Sequence, residues 1–216
     1  MYSQLTVAKL FDLSQTQAET LLNRFQYPWE ALPHIKEFIL ALGPSLPKDE
    51  YEEIKENVWA AKSAVIFPTA YLNGPVIIGK NTEVRHGAFI RGSALVGNST
   101  ELKNVILFNN VQVPHYNYVG DSILGYRSHM GAGSITSNVK SDKTLVTVKY
   151  QGEKITTGLK KFGAILGDCV EVGCNSVLNP GSVICPNSNI YPLSMVRGVV
   201  PPKSIYKTAS EIAEKF

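Results

Sequence analysis

The sequence predicts a mainly β fold, a parallel β-helix wound on a three-sided coil, and three observations carry that prediction. Aliphatic side chains recur every six residues, as in Ile78, Val84, Ile90, Val96 and Leu102, then Leu107, Val113 and Val119, then Leu124, Met130 and Thr136, and finally Leu166, Val172, Leu178, Ile184 and Ile190. Neither a helix period of 3.6 nor a strand period of 2 gives that register, whereas a coil that turns a corner every six residues does. Glycine follows the register residue at Gly79, Gly97, Gly120, Gly125, Gly131, Gly167 and Gly173, where a tight corner favours a residue without Cβ. Three hexads close a coil of roughly 18 residues, so each aliphatic stacks beneath its equivalent in the next turn and the stack forms the core.

Residues 1–62 precede the repeat and read as a helical appendage. Leu13 to Phe25 has helical spacing with Ser14 as a plausible cap, Trp29 to Leu42 is a second helix ending at Gly43-Pro44, and Asp49 to Ala61 is a third. Residues 63–200 form the β-helix, with material for roughly six coils. The register loses one residue after Leu102 and again after Val119, and it breaks between Asn138 and Gly163. Inside that insertion, 139–162, Leu145 to Tyr150 alternates and is followed by Gln151-Gly152 and Glu153-Lys154-Ile155, a hairpin that projects from the coil as a lid or wall. Residues 201–216 read as an amphipathic C-terminal helix capping the open end.

Composition narrows the function classes. Of 216 residues, 44% are hydrophobic and 18% charged, ordinary for a folded soluble domain, and a formal charge of +3 without any dense basic block argues against nucleic acid. The N-terminus MYSQLTVAKLF carries no secretory pattern and no stretch reaches 18 apolar residues, so no membrane partner and a cytoplasmic location are expected. Cys169, Cys174 and Cys185 are odd in number, lack metal-ligand spacing and suit reduced structural thiols.

The register places candidate site residues. Two residues after the register position on one corner stand Asn98, His115, Ala132, Cys174 and Pro192, at intervals of 17, 17, 42 and 18 residues, so they form one column along an edge. Small side chains above His115 leave a shallow groove for an extended ligand whose reactive end meets the imidazole. The adjoining face offers Glu101, Lys103 and Tyr118, with Arg91 nearby: a carboxylate to orient a histidine, and cations to neutralise a phosphate.

The stretch Pro114-His115-Tyr116-Asn117-Tyr118-Val119-Gly120-Asp121, then Gly131-Ala132-Gly133-Ser134-Ile135-Thr136-Ser137-Asn138 and Asp142-Lys143, resembles the acetyltransferase domain of the bifunctional N-acetylglucosamine-1-phosphate uridyltransferase/glucosamine-1-phosphate acetyltransferase. It is more similar still to the C-terminal domains of archaeal sugar-1-phosphate nucleotidyltransferases, which share HxNYVGDS, GAGTIT and a hairpin before a segment like Gly163-Ala164-Ile165-Leu166-Gly167-Asp168. The resemblance covers roughly residues 75 to 192. It implies a left-handed parallel β-helix, a homotrimer with sites at the seams, acetyl-CoA as acyl donor, and an amino-sugar phosphate or nucleotide sugar as acceptor.

Position by position, the resemblance implies His115 as general base supported by Glu101, and Arg91, Lys103, Tyr118, His129, Asn138 and Lys143 around the sugar phosphate. Ala132 and Cys174, with Pro192 continuing the column, would line the acetyl-CoA groove, and acyl transfer requires no metal. The family's asparagine before IGAG is His129 here, an aromatic is Val139, and a serine is Cys174. The 62 residues ahead of the repeat are too few for a nucleotidyltransferase domain, so nucleotide transfer is not expected of this chain alone. Two alternatives of other classes remain: a non-catalytic trimeric module that binds sugar nucleotides, and a zinc-dependent carbonic anhydrase using His86, His115 and His129, for which the usual ligand spacing is missing.

Overall fold

A computed structural model describes residues 2–91 and 100–215, with the backbone alone of Arg91; Val96, Gly97 and Asn98, named above, lie outside the described residues. The chain is a left-handed parallel β-helix of about eight turns with few helices. Its three faces are ladders of short parallel strands. One, the site face, stacks Tyr71–Leu72, Phe89–Arg91, the start of Glu101–Leu107, the start of Tyr118–Leu124, Ile135–Thr136, Val177–Leu178 and Met195–Val196. The second begins with Val58–Ala61 on Val76–Ile78 and resumes with Val105 to Leu107, Ser122 to Leu124, Ala164–Leu166, Ser182–Ile184 and Val199–Val200. The third carries Val65–Ile66 on Glu83–Val84 and, further along, His129–Met130, Glu171–Val172, Asn189–Ile190 and Ser204–Thr208.

The aliphatics of the six-residue register fill the interior: Ile90, Leu102, Val119, Leu124, Met130, Leu166, Leu178 and Ile184 are all fully buried. The coil exceeds the roughly six turns expected, because it starts before residue 63 and ends after 200. One layer is shorter than the repeat implies. Phe89 pairs Glu101, Ile90 pairs Leu102 and Arg91 pairs Lys103, so Leu102 stacks on Ile90 twelve positions earlier, in place of the eighteen that the hexads predict.

The glycines earn their places by close approach to the next layer. A Cβ at Gly131 would stand 2.7 Å from the Cys174 nitrogen, and one at Gly173 2.4 Å from that of Pro192. The left-handed residues that turn the corners come two positions later, at Asn81, Arg127, Gly133, Cys169, Asn175 and others.

Three expectations need correction. The third helix, Asp49 to Ala61, is an antiparallel hairpin of Tyr51–Lys55 and Val58–Ala61, turned at Asn57 with φ +56°. Pairing with Val76–Ile78 buries Val58, Trp59, Ala60 and Ala61, and that tertiary gain overrides helical spacing. The C-terminal helix is also a hairpin, Ser204–Thr208 and Glu211–Glu214, because Ile205 and Tyr206 continue the third face by pairing with Asn189 and Ile190. Its second strand covers an edge that would otherwise present unpaired backbone groups. The inserted hairpin, Thr147–Tyr150 with Glu153–Thr156, forms with the register the alternation predicts but does not project. Val146 and Val148 are fully buried, and the Thr147 and Lys149 carbonyls lie where Cβ atoms at Gly181 and Gly198 would be, at 2.6 and 2.7 Å.

The N-terminal residues are a strip folded along the second face. They contain short helical turns, the longest α-helix being Ile35–Leu42. Phe11 packs on Phe108 at 4.8 Å and Trp29 on Phe162 at 6.0 Å between ring centres. Asp168 clamps the strip: its carboxylate accepts the Asp12 N–H at 2.6 Å and the Tyr126 N–H at 2.8 Å, while its own N–H donates to the Leu10 carbonyl at 3.0 Å. Burial pushes that carboxyl above the ordinary range against the pull of both donors. Among the described residues no helix is long and apolar enough to cross a membrane.

Gly181 has φ +80° and no room for a side chain against the hairpin. Gly181→Ala is expected to lower stability by about 1–3 kcal/mol in thermal unfolding; an unchanged midpoint would show that the hairpin does not rest there.

Candidate active site

The edge between the third face and the site face carries the column. The Gly133 N–H donates to the His115 carbonyl at 3.0 Å, the Asn175 N–H to that of Ala132 at 2.9 Å, and the Leu193 N–H to that of Cys174 at 2.9 Å. These bonds stack His115, Ala132, Cys174 and Pro192 in consecutive layers, spaced by the roughly 4.8 Å that separates neighbouring strands. His115, Cys174 and Pro192 are exposed and Ala132 is half-buried, so this edge presents small side chains to solvent in the layers above His115.

On the site face Glu101 pairs with Tyr118 and Lys103 with Gly120, and all three side chains are half-buried. Successive outward positions on paired strands bring Glu101 and Tyr118 side by side. The Glu101 N–H donates to the Asn117 carbonyl at 2.9 Å, which ties this carboxylate's strand to the turn bearing His115. Arg91 holds the register position next to Lys103.

Two residues that the sequence reading passed over organise the site. Asn117 is 3% exposed; its Oδ1 accepts the His115 N–H at 3.0 Å, and its Nδ2 donates to the carbonyls of Gly131 at 2.8 Å and Ser134 at 3.0 Å. It pins the His115 turn, in which Tyr116 takes φ +52°, to the layer carrying Ala132. Asp121, 7% exposed and at φ +46°, accepts from Asn138 Nδ2 at 2.5 Å and from Asn104 Nδ2 at 2.9 Å. The Asn138 amide also donates to the Tyr118 hydroxyl at 3.2 Å. An asparagine and an aspartate at consistently inward or cornering positions of an apolar repeat were the available signal, since buried polar groups demand partners.

Two other predicted positions stand on elements other than the site face. His129 sits on the third face, its Nδ1 at 2.9 Å from Glu171 Oε2, beside an open cavity of about 560 Å³ that Arg127, Cys169 and Lys215 also line. Lys143 occupies an exposed turn of the insertion at φ +59°. Next to it, hydrogen bonds from the Thr144 backbone and hydroxyl hold the Asp142 carboxyl below its usual range. Cys185 is buried and its thiol is pushed up to about 12, consistent with packing rather than chemistry. Among the described residues no three His, Cys, Asp or Glu side chains gather as a metal site.

The chain winds a β-helix with a six-residue period and belongs to the hexapeptide-repeat acetyltransferases. It is 30% identical over 171 residues to YaiX of Escherichia coli (strain K12), named as an uncharacterized acetyltransferase, with 68% of this chain and 73% of that protein covered. The bifunctional protein GlmU of Methanococcus vannielii is 32% identical over 153 residues, covering 70% of this chain and 34% of GlmU, so the chain spans about a third of that relative's length. Among solved structures, a variant of AntD, an N-acyltransferase from Bacillus cereus in complex with dTDP and coenzyme A, aligns at 18% identity and a TM-score of 0.41 over 77% of this chain and 91% of that one. No family model matches the chain.

Asn117→Ala removes one acceptor and one shared donor from a buried position. It is expected to cost about 1–3 kcal/mol in denaturant unfolding, and no loss would mean that the His115 turn is held by other contacts.

Proposed function

We propose that the chain is an acyl-CoA-dependent N-acetyltransferase acting on an amino-sugar phosphate or a nucleotide amino sugar. The observation that carries the reading is the column of His115, Ala132, Cys174 and Pro192 beside the paired Glu101, Tyr118 and Lys103. Crowding at Gly131 and Gly173 keeps the wall of the channel flat, which suits the thin, extended arm of acetyl-CoA lying along the edge.

In this reading His115 takes the proton from the acceptor amine as nitrogen attacks the thioester carbonyl; the C–N bond forms, the C–S bond breaks, and the departing thiolate is protonated. Asn117 fixes the backbone from which the imidazole extends. Glu101 stands one layer away from the His115 turn, while Lys103 and Arg91 bind phosphate remote from the reacting nitrogen and supply positioning. Asn138, oriented by Asp121, presents an amide at the far side of Tyr118.

His115→Ala is expected to lower acetyl transfer by about a hundredfold to ten-thousandfold, followed as free thiol released from acetyl-CoA, while binding of both ligands persists. Unchanged turnover would remove His115 from the mechanism. One observation favours the second reading, a non-catalytic sugar-nucleotide-binding module: His129, where the family has asparagine, is engaged by Glu171. Nucleotide-sugar binding by the wild-type chain with no acetyl-CoA binding would establish that reading.

We also infer a homotrimer. The chain's own N-terminal strip occupies the second face, which leaves the two faces that meet at the His115 edge for neighbouring copies. Light scattering should return three times the chain's mass, and a monomeric mass would contradict the assembly.

A further inference from the structure

A cavity of about 560 Å³ lies between the N-terminal strip and the coil, beside the turn from Val76–Ile78 to Glu83–Val84 and the end of Glu101–Leu107. It sits on the side of the prism away from the His115 edge, because the strip covers the second face and that edge joins the other two. One wall is the helix Ile35–Leu42, in which Ile35, Phe38, Ile39 and Leu42 share a face. Ile77 and Ile106 stand on the coil side. Phe38 and Leu42 are half-buried where close packing would bury them, so the apolar face of this helix looks onto open space.

The polar part of the lining is uncharged on balance. Among the described lining residues Lys80 alone carries a charge, and its ammonium is already paired with Glu50 at 2.7 Å. The Tyr51 hydroxyl is likewise taken, accepting from Gln17 Nε2 at 2.5 Å. Thr82 differs: it is 6% exposed, stands in the wall beside Gly79, and among the described residues its hydroxyl has no hydrogen-bond partner. A buried hydroxyl without a partner costs free energy, and so does an apolar void left empty. A volume of this size, apolar walls and a buried unsatisfied hydroxyl are the marks of a small-molecule site.

We infer that the cavity binds an uncharged amphipathic small molecule, its aliphatic body on the face of Ile35, Phe38, Ile39 and Leu42 and its hydroxyl or amide head on Thr82. A hydroxyl or a primary amide both donates and accepts, as the threonine hydroxyl does. A carboxylate or ammonium head would enter without a counter-charge, since Lys80 and Glu50 already satisfy each other. The inference stands on the cavity alone and takes nothing from the acyl-transfer reading.

The test is calorimetric titration of the full chain with four probes that share one aliphatic body: 1-octanol, octanamide, octanoate and octylammonium. The alcohol and the amide should bind, and the two ions should bind at least about tenfold more weakly. Thr82→Val keeps the shape and removes the hydroxyl; it should weaken the neutral probes about threefold to tenfold without lowering the thermal midpoint. Leu42→Trp fills the space and should abolish their binding, while saturating acetyl-CoA should leave binding to the wild-type chain untouched. If Leu42→Trp does not fold, Thr82→Val carries the test. Four results would overturn the inference: no neutral probe binds, an ionic probe binds as tightly as the neutral ones, Thr82→Val binds the neutral probes as the wild type does, or acetyl-CoA displaces them, which would move the probes to the donor's site.

Discussion

Every feature of the site depends on parallel backbone pairing between successive layers at fixed register. Because layers repeat at one strand spacing, a side chain at a given phase of the hexad must lie over its equivalent, and the crowded glycines set how closely the layers approach. The column of His115, Ala132, Cys174 and Pro192 is a product of that constraint rather than of any attraction among those residues. The same pairing fixes Glu101 beside Tyr118 and leaves small side chains where a channel is needed.

Superimposed on this repeat is a small polar network that breaks its uniformity. Among the described residues the other buried polar side chains are serines and threonines, whereas Asn117 and Asp121 carry an amide and a carboxylate, and each is held by hydrogen bonds that tie its own turn to a neighbouring layer or corner. Such groups are costly unless fully partnered, so they hold the turn bearing His115 and the amide of Asn138 in single orientations. Regular stacking supplies the frame, and these two residues supply the local departures on which chemistry depends.

Much of this was legible in the sequence because periodicity and phase are geometric quantities. The hexads from Leu107 to Ile190 gave the architecture, and counting from them placed His115 under Ala132 and Cys174. Where periodicity was weak the reading went astray. Tyr51 to Ala61 and Ser204 to Glu214 have apolar spacing that fits helix or strand, and only the availability of an adjacent strand edge decides between them. The close pairing of Ile90 with Leu102 was likewise hidden, since a spacing of twelve residues keeps the six-residue phase.

The insertion leaves the coil at Asn138 and returns at Phe162, and the Phe162 N–H donates to the Asn138 carbonyl at 3.0 Å. Its two ends are therefore fastened together at the point of departure, and the intervening chain is a closed excursion. Layers above and below meet as though the segment were not there, with Ile135 paired to Val177 and Ile123 to Ile165. The scaffold thus has a socket at this corner, where segments of different length can be exchanged without re-phasing the turns that follow.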